Sequence, residues 1–129
     1  MSKYFIYSAF FLILGCKKPQ KTYDIQKTVT ATAYNSMKNQ TKQGNAFLTA
    51  WGDTLVPGEK AIAVSRDLIR EGLNHNSKVK IEGFEGFYIV KDKMNKRWEN
   101  RIDIYMGLDK EAALEWGKQK VTIKFDTIN

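Results

Sequence analysis

Apolar and polar side chains alternate along several short stretches of the chain, which is the pattern of half-buried β-strands. Near the start of the chain, Val29, Ala31 and Ala33 alternate with threonines and Tyr34. The same period of two, or a short apolar run, marks five further candidate strands: 61–64, 78–82, 87–90, 102–106 and 120–125. We therefore expect about six short strands.

Two short helices are expected between these strands. The first covers residues 65–71 with Ser65 as its N-cap, and the second runs from Asp109 to Trp116; each is followed by a glycine. The chain is therefore mainly β with one or two short helices. Closing six strands into a small barrel would leave no free strand edge.

The first fifteen residues contain one charge, Lys3, and an apolar run over residues 4–14. The run is shorter than the about 20 apolar residues of a membrane-spanning helix, so a secretory signal peptide is the better interpretation. Residues 13–16, Ile-Leu-Gly-Cys, resemble a bacterial lipobox, whose cysteine is lipid-modified and becomes the N-terminus. We expect Cys16 to be the lipid attachment site; an incidental cysteine is the alternative. The protein is then an exported bacterial lipoprotein on the periplasmic face of the outer membrane.

The net charge of +7 is distributed unevenly. Residues 17–52 carry six lysines and one acidic residue, whereas residues 53–129 carry 14 basic and 13 acidic residues. A nucleic-acid-binding domain would gather its basic groups on the folded face, so no nucleic-acid partner is expected. We expect a signal peptide over 1–15, a lipid-anchored tether over 16–27 and one barrel domain over 28–129.

Residues that usually bind metals are sparse. The single cysteine excludes a disulfide within the chain and a cysteine-cluster zinc site. His75 is the only histidine and lies in a polar Asn-His-Asn-Ser stretch, so we interpret it as a surface-loop residue. Neither a phosphate-binding glycine loop nor a nucleophile motif is present. We predict no metal and no cofactor.

Two aspartates are the candidate acid–base residues. Asp103 lies inside an alternating strand, where aspartate is disfavoured, and Asp92 ends the preceding strand. If the two strands are neighbours, both carboxylates reach one rim, and their proximity would raise the pKa of one of them. Arg101 on the same strand face as Asp103 would lower the pKa of Asp103 instead. The residues alone leave this choice open, and turn or salt-bridge roles are the alternative.

Several short motifs recur in a fixed order along residues 28–124: Thr32-Ala33-Tyr34, Thr49-Ala50-Trp51-Gly52, Ile62-Ala63-Val64, Lys78 to Gly83, Asp92, Asn100 to Gly107 and Ala113 to Val121. The ordered set resembles the three-aspartate (3D) domain of MltA-type lytic transglycosylases and related muralytic proteins. The resemblance implies a double-psi β-barrel, in agreement with the strand pattern. It also implies cleavage of the glycan strands of peptidoglycan.

By this resemblance, Asp103 matches the aspartate regarded as catalytic, and Asp92 matches the second aspartate. Asp103 would protonate the glycosidic oxygen between MurNAc and GlcNAc. As a carboxylate it would then accept the proton of the MurNAc 6-hydroxyl, which closes a 1,6-anhydro ring. Because the substrate supplies the nucleophile, no second carboxylate has to activate water, and Asp92 would orient or tune Asp103.

Further residues are implied to bind the glycan through aromatic faces or hydroxyl groups: Thr32, Tyr34, Thr49, Trp51, Ser65 and Tyr105. Trp116 is expected in the core instead. The chain departs from the family pattern at two places, since Ser65 replaces the first aspartate and Met94-Asn95 replaces a Gly-Gly pair. These departures motivate an alternative function as a non-catalytic cell-wall-binding or expansin-like wall-loosening module.

Overall fold

The computed structural model describes residues 23–35 and 47–127, so the expected signal peptide, Cys16 and most of the tether lie outside the described residues. Strand is the main element of the described part. The elements in chain order are β1 (Ile25–Tyr34), β2 (Ala61–Val64), α1 (Arg66–Arg70), β3 (Lys78–Ile81), β4 (Tyr88–Lys93), β5 (Arg101–Tyr105), α2 (Lys110–Trp116) and β6 (Lys118–Phe125). No helix in this part of the chain has the length and apolar content needed to cross a membrane.

The six strands close into a barrel in the order β1-β5-β2-β4-β3-β6. Two pairs are parallel, β1 with β5 and β2 with β4, and the other pairs are antiparallel. The prediction of a small six-stranded β-barrel with two short helices is confirmed, and the mixed pairing is that of a double-psi barrel. Closure gives every strand two partners and so removes free edges.

The first strand begins at Ile25, three residues before the expected start of the barrel domain. The strand extends this far because the whole length of β6 pairs with it, from Ile25 opposite Phe125 to Thr32 opposite Lys118. The barrel therefore includes residues 25–27, which the sequence pattern had assigned to the tether.

The barrel interior is filled by branched aliphatic side chains that alternate with outward-facing residues. All four residues of β2 are buried, and this short strand lies between β4 and β5. The fully buried core comprises Val29, Ala31, Ile62, Val64, Leu68, Leu73, Val79, Ile81, Val90, Ile102, Ile104, Ile123 and Phe125, with Val121 nearly so. The interior of a small barrel is filled by alternate residues of each strand. The strand residues that lie between the buried ones therefore project outward.

The second helix follows the sequence prediction closely. The Asp109 carboxylate accepts a hydrogen bond from the Ala112 N–H at 2.9 Å and caps α2. Trp116 ends the helix and packs against the core, with its ring centroid 5.1 Å from that of Phe84. Its indole N–H donates to the Ala31 carbonyl at 3.2 Å. The expected core role of Trp116 is confirmed.

Ser65 precedes α1, but the expected side-chain cap is wrong, because its hydroxyl makes no capping hydrogen bond. Ser65 instead pairs with Arg101 at the end of β5. The Ser65 N–H donates to the Arg101 carbonyl at 2.9 Å, and the Arg101 N–H donates to the Ser65 hydroxyl at 3.0 Å. Ser65 therefore extends the pairing between β2 and β5 beyond the strand.

Truncating a core side chain should reveal the dependence of the fold on the barrel interior. We expect Ile104→Ala to lower the free energy of unfolding by about 2–5 kcal/mol, because it leaves a cavity between β1, β2 and β5. Leu114→Ala is the control, since Leu114 is 64% exposed on α2, and it should change stability by less than about 0.5 kcal/mol. Urea unfolding measures both; equal losses would contradict the assigned core.

Candidate functional site

Four residues lie side by side across the outside of the barrel. Asp103 on β5 is in register with Thr32 on β1 and with Ala63 on β2, and Ala63 is in register with Asp92 on β4. Ile62 next to Ala63, and the isoleucines on either side of Asp103, are buried in the barrel interior. Since successive residues of a strand point to opposite faces, the row faces outward. We call Thr32, Asp103, Ala63 and Asp92 the acidic face.

Asp92 reaches the acidic face through an irregularity in β4. Ile62 pairs with Val90 and the next residue, Ala63, pairs with Asp92, so Lys91 is an extra residue without a partner on β2. Such a bulge reverses the alternation of a strand and redirects the side chains that follow it. In a regular ladder Asp92 would oppose Val64 and point into the core.

Asp103 is half-buried, and burial dominates its protonation. The Thr32 hydroxyl donates to Asp103 Oδ1 at 3.1 Å. Loss of solvation raises the pKa of Asp103 to about 6, with a small addition from the Asp92 charge, and the Thr32 hydrogen bond and the Arg101 charge oppose this rise. The sequence left open whether Asp92 raises or Arg101 lowers the pKa of Asp103. Desolvation outweighs both charges and raises the pKa.

Asp92 is held by backbone groups. Its Oδ1 accepts hydrogen bonds from the N–H groups of Ala50 and Lys93, both at 2.9 Å. Burial raises the pKa of Asp92 above its usual value although these bonds favour the carboxylate, and the charge of Asp53 adds to the rise. The Ala50 bond attaches the loop over residues 47–54 to the acidic face.

That loop is a tight turn in which Thr49 is structural. The Thr49 N–H donates to the Asp53 carbonyl at 2.8 Å, and the Thr49 hydroxyl accepts from the Asp53 N–H at 3.0 Å. Leu48 and Thr54 form a β-bridge that closes the turn. Thr49 is buried, so it positions Ala50 and Asp92 and does not offer its hydroxyl to a ligand.

Asp53 and His75 are site residues that the sequence analysis missed. His75 Nε2 contacts Asp53 Oδ2, and the ring of Trp51 lies 4.9 Å from the His75 ring. His75 is exposed, as a surface-loop residue should be, but it holds the loop that also binds Asp92. Asp53 and His75 lie 22 positions apart in the chain. The only sequence signal for this contact was an aspartate directly after Trp51-Gly52.

The two predicted tyrosines lie together at one end of the acidic face. Their ring centroids are 5.3 Å apart, and Tyr105 is only 5% exposed, packed with Leu55 and Ala61. Tyr34 is half-buried, and its hydroxyl has no hydrogen-bond partner among the described residues. Burial, followed by the charges of Asp92 and Asp103, raises the pKa of Tyr34. Its phenol is therefore within electrostatic reach of both carboxylates.

Ser65 does not belong to the surface of the site. It has 0% exposure and its hydroxyl accepts a hydrogen bond from the Arg101 N–H, so the structure does not bring the expected substrate-binding hydroxyl to the surface. The structure thus assembles Thr32, Asp92, Asp103 and Tyr34, with Thr49 and Trp51 in the supporting loop and Tyr105 beneath Tyr34.

An aromatic and basic cluster lies along β5 on the other side of Asp103 from the tyrosines. The guanidinium of Arg101 lies 4.0 Å from the ring centroid of Trp98, and that of Arg97 lies 4.7 Å from it. No group of three or more potential metal ligands occurs in residues 23–35 and 47–127. The site therefore offers carboxylates, hydroxyl groups, guanidinium groups and aromatic faces.

Comparisons with known proteins agree on the fold. No protein-family model and no curated protein matches the chain. A Streptomyces papain inhibitor has a TM-score of 0.54 at 19% identity over 81% of this chain and 96% of its own. An apo expansin from Clavibacter michiganensis has a TM-score of 0.52 at 17% identity over 78% of this chain. A mutant of that expansin in complex with cellohexaose has a TM-score of 0.51 at 16% identity. The chain spans about half the length of the expansin chains.

The burial of Asp103 should make stability depend on pH. Asp103 binds its proton more tightly in the folded chain, with a pKa of about 6, than in the unfolded chain, with a pKa of about 3.9. The free energy of unfolding therefore falls as the pH rises between these values. Asp103→Asn, which cannot ionise, should be more stable than the unaltered protein by about 1–3 kcal/mol at pH 8 and equal to it below about pH 4.

Urea unfolding across this pH range measures the difference. Glu85→Gln is the control, since Glu85 is exposed between β3 and β4 and the substitution makes the same charge change. A stability gain for Asp103→Asn that is constant with pH would contradict a pKa raised by burial.

Removing the Thr32 hydroxyl should raise the pKa of Asp103 above about 6, because the hydrogen bond from Thr32 favours the carboxylate. Thr32→Val keeps the shape of the side chain, and Thr122→Val on β6 is a matched control outside the acidic face. An NMR titration of the Asp103 carboxyl carbon measures the pKa. An unchanged or lowered pKa in Thr32→Val would show that the hydrogen bond does not act on Asp103.

Proposed function

We propose that the protein binds cell-wall polysaccharide across the acidic face, as a wall-binding or expansin-like wall-loosening module. The observation that carries the proposal is the row itself, in which two carboxylates flank the small side chain of Ala63 on the outside of the barrel. Carboxylates accept hydrogen bonds from sugar hydroxyls, and such charge-assisted bonds are about twice as strong as neutral ones. The structural similarity to an expansin bound to cellohexaose supports polysaccharide as the ligand class.

Other groups around the row suit the same ligand. The buried hydroxyl of Tyr34 has an unused donor among the described residues, and such a group gains from a hydrogen bond supplied by a ligand. Trp98 lies partly exposed beside Arg101, on the other side of Asp103 from the tyrosines, and offers an aromatic surface. A polysaccharide lying along β5 would pass from the tyrosines over Asp103 toward Trp98.

Peptidoglycan is the proposed polysaccharide, with an N-terminal lipid anchor at Cys16 as the proposed link to the membrane. Both follow from the sequence resemblance and the lipobox-like residues. Export, cleavage before Cys16 and a position on the periplasmic face of the outer membrane belong to the same proposal. Mass analysis of the mature N-terminus would reveal the acyl groups.

Cleavage of the glycan is the second candidate function, and the raised pKa of Asp103 favours it. With a pKa of about 6, a fraction of the Asp103 side chains is protonated near neutral pH and can donate to a glycosidic oxygen. The resulting carboxylate would accept the proton of the MurNAc 6-hydroxyl. The oxygen of that hydroxyl bonds to the anomeric carbon as the glycosidic bond breaks. The products are a 1,6-anhydro-MurNAc end and a free GlcNAc hydroxyl.

Asp92 fits the role of a fixed neighbour in this mechanism. Two backbone N–H groups donate to its Oδ1 and so fix the orientation of its carboxyl group. Its charge also contributes to the raised pKa of Asp103. A lytic transglycosylase requires one acid–base residue only, since the substrate provides the nucleophile.

Binding to purified peptidoglycan sacculi tests the proposed function. We expect Asp92→Asn with Asp103→Asn to weaken binding about tenfold, because amides form weaker hydrogen bonds with sugar hydroxyls than carboxylates do. Glu82→Gln with Glu85→Gln makes the same charge change on exposed residues of another part of the barrel and should bind like the unaltered protein. A co-sedimentation assay measures the affinities, with circular dichroism to verify folding.

Equal binding by both double variants would remove the acidic face from the proposal, and an unaltered protein that does not bind sacculi would remove the function. Mass analysis of the supernatant then separates the two candidates. Release of 1,6-anhydro-muropeptides that Asp103→Asn abolishes would identify a transglycosylase. Binding without such products would identify the wall-binding module.

A further inference from the structure

We propose that Arg97, Trp98 and Arg101 form a subsite that binds a carboxylate group of the wall polysaccharide beside Asp103. We call these three residues the arginine–tryptophan cluster. The inference rests on the proposed function, since it names the chemical feature by which the same face would distinguish an acidic glycan from a neutral one.

The position of Arg101 links the cluster to the acidic face. Arg101 and Asp103 are two residues apart on β5, so their side chains leave the same face of the strand about 7 Å apart along it. The charge of Arg101 acts on the carboxyl group of Asp103, yet the two do not form an ion pair within 4.0 Å. A ligand on Asp103 would therefore meet the guanidinium of Arg101 as it continues along β5.

The charges of the cluster are not neutralised within the described residues. Neither Arg97 nor Arg101 has an acidic partner within salt-bridge distance there, and the buried Nε of Arg101 lacks a hydrogen-bond partner. Both guanidinium groups lie against the ring of Trp98, at 4.7 and 4.0 Å from its centroid. Two cations on one ring repel each other, and an anion bound between or beside them would lower the electrostatic free energy.

The turn that carries the cluster is ordered by Asn95. The Asn95 side chain accepts a hydrogen bond from the Arg97 N–H at 3.0 Å, and its carbonyl accepts from the Trp98 N–H, also at 3.0 Å. Stacking on Trp98 limits the freedom of both arginine side chains further. A binding group that is ordered beforehand loses less conformational entropy when its ligand binds.

A carboxylate fits this cluster better than other anions. Guanidinium groups bind carboxylates through two parallel hydrogen bonds, and the adjacent aromatic ring packs on the apolar part of the same ligand. An extended polyanion such as nucleic acid would require a broad basic face, whereas residues 53–129 carry 14 basic and 13 acidic residues. Glycan strands of peptidoglycan present carboxylates at intervals, on their peptide stems or, where a stem is absent, on the lactyl group.

The test compares chemically matched glycans. Soluble uncrosslinked peptidoglycan strands, the same strands with their carboxylates converted to amides, and neutral chitin oligosaccharides are titrated against Asp103→Asn, in which cleavage cannot remove the ligand. Into this background Arg97→Gln or Arg101→Gln is introduced. Arg70→Gln is the matched control, because Arg70 is an exposed arginine of α1 and its substitution makes the same charge change.

We expect Arg97→Gln and Arg101→Gln each to bind the acidic strands about tenfold more weakly, and to bind the amidated strands with less than about a twofold change. Arg70→Gln should change neither affinity. Arg97 is exposed and its substitution does not disturb the barrel, so Arg97→Gln remains informative even if Arg101→Gln folds poorly.

Equal losses on acidic and amidated strands, or no loss with Arg97→Gln, would overturn the subsite. Binding of amidated strands as tightly as acidic ones by the background protein would also overturn it, while leaving polysaccharide binding in place. Failure to bind any of the three glycans would instead remove the proposed function.

Discussion

The arrangement of the site depends on the two-sided pairing of β2. This strand of four residues is antiparallel to β5 and parallel to β4, and its residue Ala63 lies between Asp103 and Asp92. The bulge at Lys91 makes this possible, since it shifts β4 by one residue exactly where Asp92 would otherwise turn inward. With all four residues of β2 buried, a slip in its register would move aliphatic side chains out of the core. The core thus stabilises the spacing of the two carboxylates.

The same packing that fills the barrel makes Asp103 expensive to ionise. Its carboxyl group is largely buried beside Thr32, which supplies a single hydrogen bond, and this loss of solvation raises its pKa. A carboxylate with fuller hydrogen bonding, such as Asp92, still has a raised pKa, which shows that desolvation outweighs two backbone donors at this surface. The raised pKa lowers the free energy of unfolding near neutral pH, and it leaves a fraction of the Asp103 side chains protonated there.

The strand pattern of the sequence predicted the fold well, because alternation reports directly on which side chains are buried. Asp103 could also be found, since an aspartate inside a regular strand requires a reason. Contacts between residues distant in sequence could not be predicted in the same way. The bulge leaves no signature in the residues around Lys91, and the pairing of Asp53 with His75 joins two loops whose proximity only the barrel topology determines. The burial that raises the pKa of Asp103 likewise depends on tertiary packing, which the residue pattern does not specify.

Ser65 and Asn95 have separate physical consequences for the residues around β5. Ser65 lies where a carboxylate would have to be buried against the backbone of Arg101, and its neutral hydroxyl accepts the Arg101 N–H without the cost of desolvating a charge. Asn95 organises the turn that carries Arg97 and Trp98 through its side-chain and main-chain oxygens. Ser65 therefore stabilises the start of β5, and Asn95 orders the turn that precedes it. Both residues act near Arg101: Ser65 holds its backbone from the side of β2, and Asn95 orders the turn whose Trp98 ring lies against its guanidinium group.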